Sequence, residues 1–154
     1  MLMPQPSMSP IPERGLWYNN EDFEINIRGH KIVVPGFFCI DGASIPKFLW
    51  ALYYHPFDAL VILAALVHDW LYWSHQVPKE EADLIFKELL ILNGVPEDTA
   101  HQMYVAVSLF GNLSWSLKEE EKPLLLMLYI LVKDSPRFNE YHFPIGVLNI
   151  TVFP

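Results

Sequence analysis

Apolar and polar residues alternate most clearly near the start of the chain. In the stretch DFEINI, Phe23, Ile25 and Ile27 alternate with polar neighbours, which is the period of a half-buried strand. The turn candidate RGH follows at 28–30, and KIVVP then has the composition of a returning strand. The pattern predicts a β-hairpin over about residues 22–35.

Longer apolar stretches that begin at prolines or acidic residues predict helices. Pro56 and Asp58 open a helix predicted over about 58–75, and Pro78 opens a second over about 79–93 that stops at Gly94. A third begins at Pro96, and a fourth is predicted over about 120–133. The short link SHQVPK makes the first two antiparallel neighbours. The predicted fold class is therefore mainly α (α+β): a helical domain with two central antiparallel helices and a small N-terminal β-hairpin.

The N-terminal segment differs from the rest of the chain. Residues 1–15 carry four of the 13 prolines and predict an extended arm, and residues 16–154 are predicted to form a single globular domain. The start lacks the basic residues and the apolar stretch of a signal peptide. The longest apolar runs, ALVILAALV and LLLMLYILV, are far shorter than the about 20 residues that cross a bilayer, so we expect no transmembrane segment.

Composition narrows the classes of partner. The formal net charge of −8 and the lack of a basic stripe argue against nucleic-acid binding. Because 52% of the residues are hydrophobic and only 18% are charged, we expect some apolar surface to meet a partner, a lipid surface or a second copy. The lone Cys39 excludes an internal disulfide.

Titratable residues interrupt the apolar helix LAALVHDWLYWSHQ. His68 and Tyr72 lie four residues apart and share a face with small alanines. On the next helix, Asp83 stands alone on the apolar side, and the short link can bring it within reach of His68. A carboxylate bonded to one imidazole nitrogen fixes the tautomer and leaves the other nitrogen as a general base. The candidate catalytic residues are therefore His68, Asp83 and Tyr72.

Asp69 is rotated by about 100° from His68 and points to the flank of the same helix. We expect it to bind a cation, with oxygen ligands from the loop CIDGAS: backbone carbonyls from Cys39 to Gly42 and the Asp41 carboxylate. Carboxylate and carbonyl oxygens suit a hard cation such as Ca²⁺ better than a transition metal. The candidate metal-binding residues are thus Asp69, Asp41, Gly42 and Cys39.

Two other interpretations of these residues stay open. A buried His–Asp pair is often purely structural, and Tyr72 can be core packing. An HD-type phosphohydrolase is a further alternative, but it needs more His and Asp ligands, and His55 and Asp98 lie at unsuitable spacings.

The order of motifs resembles a known family. FFCIDGASIPKFLW, then ALVHDWLYW, EEADLIF and MYVAVSLFG, is similar to a family of small tailed-phage and prophage proteins of unknown function, over about residues 35–112. That resemblance implies a phage or prophage origin, with the host cytoplasm or the virion as the location and other phage proteins as partners. It implies no particular activity.

A looser resemblance concerns the site. A polar loop, an HDxxY helix and a carboxylate helix, in that order, are similar to the catalytic core of phospholipase A2, including the short form in parvovirus capsid proteins. The resemblance implies that His68 activates water, Asp69 binds Ca²⁺, Tyr72 and Asp83 support the histidine, and residues around Asp41 and Gly42 form the calcium loop. Two functions therefore compete: a Ca²⁺-dependent lipid or ester hydrolase, and a phage structural or accessory protein with a buried His/Asp network.

Overall fold

The computed structural model describes residues 3–12, 16–40, 50, 53–55 and 57–116. These residues form a mixed α+β structure, so the prediction of a mainly helical domain was wrong. The described strands are β1 Met8–Ile11, β2 Leu16–Asn19, β3 Phe23–Ile27, β4 His30–Val34 and β5 Cys39–Ile40. The described helices are α1 Ile62–Ser74, α2 Lys79–Leu92, α3 Glu97–Phe110 and α4 Asn112–Ser116.

The additional β-structure is a sheet that the sequence pattern did not predict. Its strand order is β1-β2-β5, and both pairings are antiparallel. Residues 8–11 of the proline-rich arm form β1, and Met8 and Ile11 pack against the core, so this part of the arm belongs to the sheet. Pro10 is compatible with a strand here because β1 lies at the edge of the sheet, where one side of the backbone needs no ladder partner.

The predicted hairpin is confirmed. β3 and β4 pair from Phe23 opposite Val34 to Ile27 opposite His30. Arg28 and Gly29 form the two-residue loop, and both have positive φ angles, 50° and 78°, as a type I′ turn requires. Alternate residues of β3 are buried, as the period of two predicts.

The predicted helix pair is also confirmed, and it lies at the centre of the core. Asn93, just after α2, donates its side-chain amide to the carbonyls of Ala59 and Leu60, just before α1, so the two helices run antiparallel. α1 is buried around almost its whole circumference, whereas Asp69 is only half-buried on its flank. Because such a helix has almost no solvent-facing side, any polar residue on it must find a partner inside the protein.

Proline starts are confirmed for two helices. Pro78 and Pro96 precede the first turns of α2 and α3, and both first turns carry acidic residues that complement the helix dipole. The predicted fourth helix at about 120–133 and the C-terminal tail lie outside the described residues. Within the described ranges, no helix has both the length and the apolar character that crossing a membrane requires.

Candidate active site

The predicted contact between His68 and Asp83 is present in the core. His68 Nε2 lies 2.8 Å from Asp83 Oδ1 across the α1–α2 interface, and the two residues are 0% and 1% exposed. Both residues interrupt apolar helix faces, and the hydrogen bond between them gives His68 Nε2 and Asp83 Oδ1 a partner inside the core. The hydrogen bond between these residues is thereby confirmed, while their catalytic role stays a prediction.

Tyr72 completes the predicted trio. Its hydroxyl donates to Asp83 Oδ1 at 2.7 Å, and its ring centre lies 4.1 Å from that of His68, one turn earlier on α1. Burial raises the pKa of Tyr72, and the Asp83 carboxylate raises it further, so the hydroxyl remains a protonated donor at neutral pH.

Lys79 is a fourth member of the cluster, and it was not singled out from the sequence. Its Nζ donates to Asp83 Oδ2 at 2.8 Å, and its side chain is only 11% exposed. It also donates to the carbonyls of Val107 and Ser108, near the end of α3. The signal in the sequence was the i, i+4 spacing of Lys79 and Asp83, which is common on solvated helix faces and so did not indicate a buried pair.

The protonation states follow from these contacts. Burial alone would raise the pKa of Asp83, but the hydrogen bonds from His68, Lys79 and Tyr72 outweigh burial and lower the pKa, so Asp83 is a carboxylate. Burial lowers the pKa of His68 despite the adjacent carboxylate, so the imidazole is neutral at pH 7. Because an ionised carboxylate can only accept, we assign the single imidazole proton to Nε2.

The other nitrogen of His68 is the unusual atom of the site. With the proton on Nε2, Nδ1 carries a lone pair, and it is buried with no hydrogen-bond partner among the described residues. A buried polar atom without a partner costs about 1–3 kcal/mol, so such an atom calls for an explanation. A neutral imidazole held by a carboxylate, with its second nitrogen open, is the arrangement of a general base.

The structure describes two of the four predicted metal ligands, Asp69 and Cys39. Asp69 lies half-buried beside His68, and β5, which carries Cys39, contacts α1. Burial raises the pKa of the Cys39 thiol to about 12, so the sulfur stays protonated and only the backbone carbonyl of Cys39 suits a hard cation. Asp41 and Gly42 lie outside the described residues. The part of the chain that the structure describes contains no group of three or more His, Cys, Asp or Glu residues that could hold a metal.

The residues considered for a phosphohydrolase lie elsewhere. The His55 ring packs at a tilt against the rings of Trp50 and Phe57, whose centres are 4.6 and 5.3 Å away. Asp98 is exposed in the first turn of α3, whereas Lys79 contacts the other end of that helix. The structure therefore does not bring His55 and Asp98 into the His68 cluster.

Gly111 permits the close approach of α3 to this cluster. A Cβ atom at this position would overlap the Tyr72 hydroxyl and the Val107 carbonyl, although the φ angle of Gly111 is an ordinary −75°. We expect Gly111→Ala to destabilise the protein by about 1–3 kcal/mol, because the buried hydroxyl cannot move without losing Asp83. Tyr72→Phe removes the nearest overlapping atom, so the double variant should lose less stability than the two single losses added together. Urea unfolding of all four proteins measures this coupling, and simple additivity would contradict the assigned contact.

The fold and site together define a mixed α+β protein with a buried His–Asp pair between two central helices. The chain belongs to the DUF1353 family, a family of proteins of unknown function, whose model matches residues 17–107. It is 31% identical over 106 residues to the uncharacterized protein y4jT of Sinorhizobium fredii, and 32% identical over 71 residues to the uncharacterized protein y4iH of the same organism. These alignments cover 68% and 46% of this chain but only 31% and 30% of the two relatives. No solved structure gives a significant match.

Proposed function

We propose that this protein is a hydrolase of ester bonds in which His68 acts as the general base. The observation that supports this proposal is the buried His68 Nδ1, a proton acceptor without a partner among the described residues, on an imidazole that Asp83 orients. Two indole N–H groups of the same helix, on Trp70 and Trp73, also lack partners within the described part of the chain, but an indole nitrogen can only donate. Nδ1 of a neutral imidazole can instead take a proton from water.

Each residue of the cluster has a role in this chemistry. His68 Nδ1 accepts a proton from a water molecule as its oxygen attacks the ester carbonyl, and the same proton then passes to the leaving alkoxide. Asp83 stays ionised and stabilises the imidazolium that forms in between. Tyr72 helps to keep the carboxylate in place by donating to Oδ1 of Asp83.

Calcium is the proposed cofactor, and its donor chemistry fits Asp69. The Asp69 carboxylate is half-buried next to His68, and the Cys39 carbonyl belongs to a strand that contacts α1. Both offer the oxygen ligands that Ca²⁺ prefers, and the proposed set also includes Asp41 and Gly42. A bound Ca²⁺ ion would supply polarisation of the ester carbonyl. The similarity of the motif order to phospholipase A2 favours a phospholipid as the substrate.

The decisive experiment measures fatty-acid release from phosphatidylcholine vesicles with millimolar Ca²⁺ or with EDTA. We expect release that depends on Ca²⁺ and that Asp69→Asn strongly reduces, because a neutral amide is a poorer ligand for a hard cation. Asp98→Asn is the matched control, since it removes one carboxylate at an exposed position on α3. If wild-type protein releases no fatty acid and Ca²⁺ does not raise its melting temperature, the hydrolase proposal is wrong.

A second candidate function is supported by the complete burial of His68. A side chain with 0% exposure suits a structural network better than it suits a base that a substrate must reach. In that case the protein would be a phage structural or accessory protein, as the similarity of its motifs to phage and prophage proteins suggests, and the cluster would define the fold. Inactivity on the vesicles, combined with a large loss of stability when Asp83 is removed, would favour this second function.

A further inference from the structure

Asp83 accepts hydrogen bonds on both oxygens, and its partners differ in kind. Oδ1 faces α1, where it accepts from His68 and Tyr72, at 2.8 and 2.7 Å. Oδ2 faces the other way and accepts from Lys79 at 2.8 Å. A carboxylate held on one oxygen alone could still rotate about its χ2 torsion, which is broad for Asp. The hydrogen bond from Lys79 to Oδ2 limits this rotation. It therefore also fixes the position of Oδ1, the oxygen that orients His68.

We propose that Lys79 is a positioning residue of the site: its ammonium clamps Asp83 against His68 and ties this pair to the C-terminal end of α3. The role of Lys79 in positioning a catalytic base rests on the proposed hydrolase function. The clamp itself rests only on the hydrogen bonds that the Lys79 ammonium donates.

The ammonium of Lys79 is itself fixed by three acceptors. It has three N–H donors, and the structure provides Asp83 Oδ2 together with the carbonyls of Val107 and Ser108, at 3.4 and 3.1 Å. Carbonyls near a helix C-terminus carry partial negative charge, so a cation there is stabilised, even though the Val107 carbonyl also accepts the backbone N–H of Gly111. The side chain also crosses the Tyr72 ring, with Nζ 5.8 Å from the ring centre. The Nζ atom of Lys79, on α2, thus contacts both other long helices: α1 through the Tyr72 ring and α3 through two of its carbonyls.

This arrangement makes the end of α3 a support of the active site. Gly111 allows α3 to approach the Tyr72 hydroxyl, and the last turn of α3 supplies two of the three acceptors of Lys79. If α3 shifts, Lys79 loses two acceptors and Asp83 loses its second contact. The orientation of His68 consequently depends on α3, although the hydrogen bond described for His68 is made to Asp83 on α2.

The test compares Lys79→Met, Lys79→Gln and Lys79→Arg with Lys87→Met. Lys87 is the matched control: it lies on the same helix, and its Nζ is 5.9 Å from the ring centre of Tyr104, so its loss removes the same charge and a similar ring contact. The main readout is the solvent exchange of the His68 Nε2 proton, measured by NMR in the presence of EDTA. A buried, well-held N–H exchanges slowly, whereas a loosened one exchanges quickly.

We expect exchange of that proton to accelerate by about tenfold or more in Lys79→Met and Lys79→Gln, to recover partly in Lys79→Arg, and to be unchanged in Lys87→Met. Hydrolysis should show kcat lowered by about 10- to 100-fold with KM nearly unchanged, because a misplaced base affects chemistry rather than binding. Lys79→Gln keeps a polar side chain but removes the charge and the length with which the ammonium reaches Asp83 and α3, so this variant decides the question if Lys79→Met does not fold.

Unchanged exchange in a folded Lys79→Gln variant would overturn the proposal. If wild-type protein proves inactive on ester substrates, the hydrolase function fails, yet the exchange measurement still decides whether Lys79 clamps Asp83. Accelerated exchange with unaltered kcat would show that the clamp does not position a base, and would also overturn the proposal.

Discussion

Asp83→Ala is expected to lower the free energy of unfolding by about 3–5 kcal/mol, the largest effect of any substitution considered for this protein. The change removes the acceptor of His68 and Tyr72 and leaves the Lys79 ammonium without its counter-ion in a site where its side chain is only 11% exposed. Stranding the His68 imidazole without its acceptor would by itself cost about 1–3 kcal/mol. The buried lysine makes the expected loss larger.

Urea unfolding at pH 7 measures this loss of stability, and two further variants serve as comparisons. Asp83→Asn keeps the size and one acceptor but not the charge, so its loss of stability should lie between those of wild type and Asp83→Ala. Glu80→Ala removes an exposed carboxylate from the same helix and should change stability by less than about 0.5 kcal/mol. A loss below 1 kcal/mol for Asp83→Ala would mean that water or a rearranged lysine replaces the carboxylate.

His68→Asn is expected to abolish the proposed hydrolysis while the protein stays folded. Asparagine can still donate to Asp83, but its neutral amide cannot accept a proton, so the rate should fall by about 10²- to 10⁴-fold. Vesicle hydrolysis measures the loss, and circular dichroism verifies the fold. His101→Asn, at an exposed position on α3, is the control and should retain full activity.

The same substitution should alter the dependence of stability on pH. The pKa of His68 is lowered in the folded protein, so below about pH 6.5 the unfolded chain takes up a proton that the folded protein does not. This protonation stabilises the unfolded state, and wild-type stability should therefore fall as the pH decreases from 7 towards 5. His68→Asn should show a weaker fall in that window. Equal slopes for the two proteins would contradict a neutral, buried His68.

These predictions depend on how the helix pair is built, and much of that pair could be predicted from the sequence. α1 and α2 show apolar periodicity and are joined by a link of four residues, and α2 also has a helix-start signal at Pro78; all of these are local properties of the chain. The contact between His68 and Asp83 followed because two polar residues on facing apolar sides must find each other. The β3–β4 hairpin was equally local, since alternation and a turn of two residues specify it.

The second sheet could not be predicted in this way. β1 contains a proline, β2 lies next to residues that the composition assigned to an arm, and β5 is two residues long. None of these segments shows a sustained alternation, and each becomes a strand because the others are nearby in space. Strand pairing of this kind depends on contacts between distant parts of the chain, so short segments reveal little of it by themselves.

The sequence by itself therefore determined the hairpin, the central helix pair and the meeting of His68 with Asp83, because each follows from periodicity and from the need to satisfy buried polar groups. Only the tertiary structure decided that Lys79 is buried against Asp83, that α3 supports the pair, and that His68 Nδ1 has no partner among the described residues. The physical reason is that burial is a property of the packed molecule. The same Lys–Asp spacing on a helix is a weak surface pair in water and a strong constraint in a core.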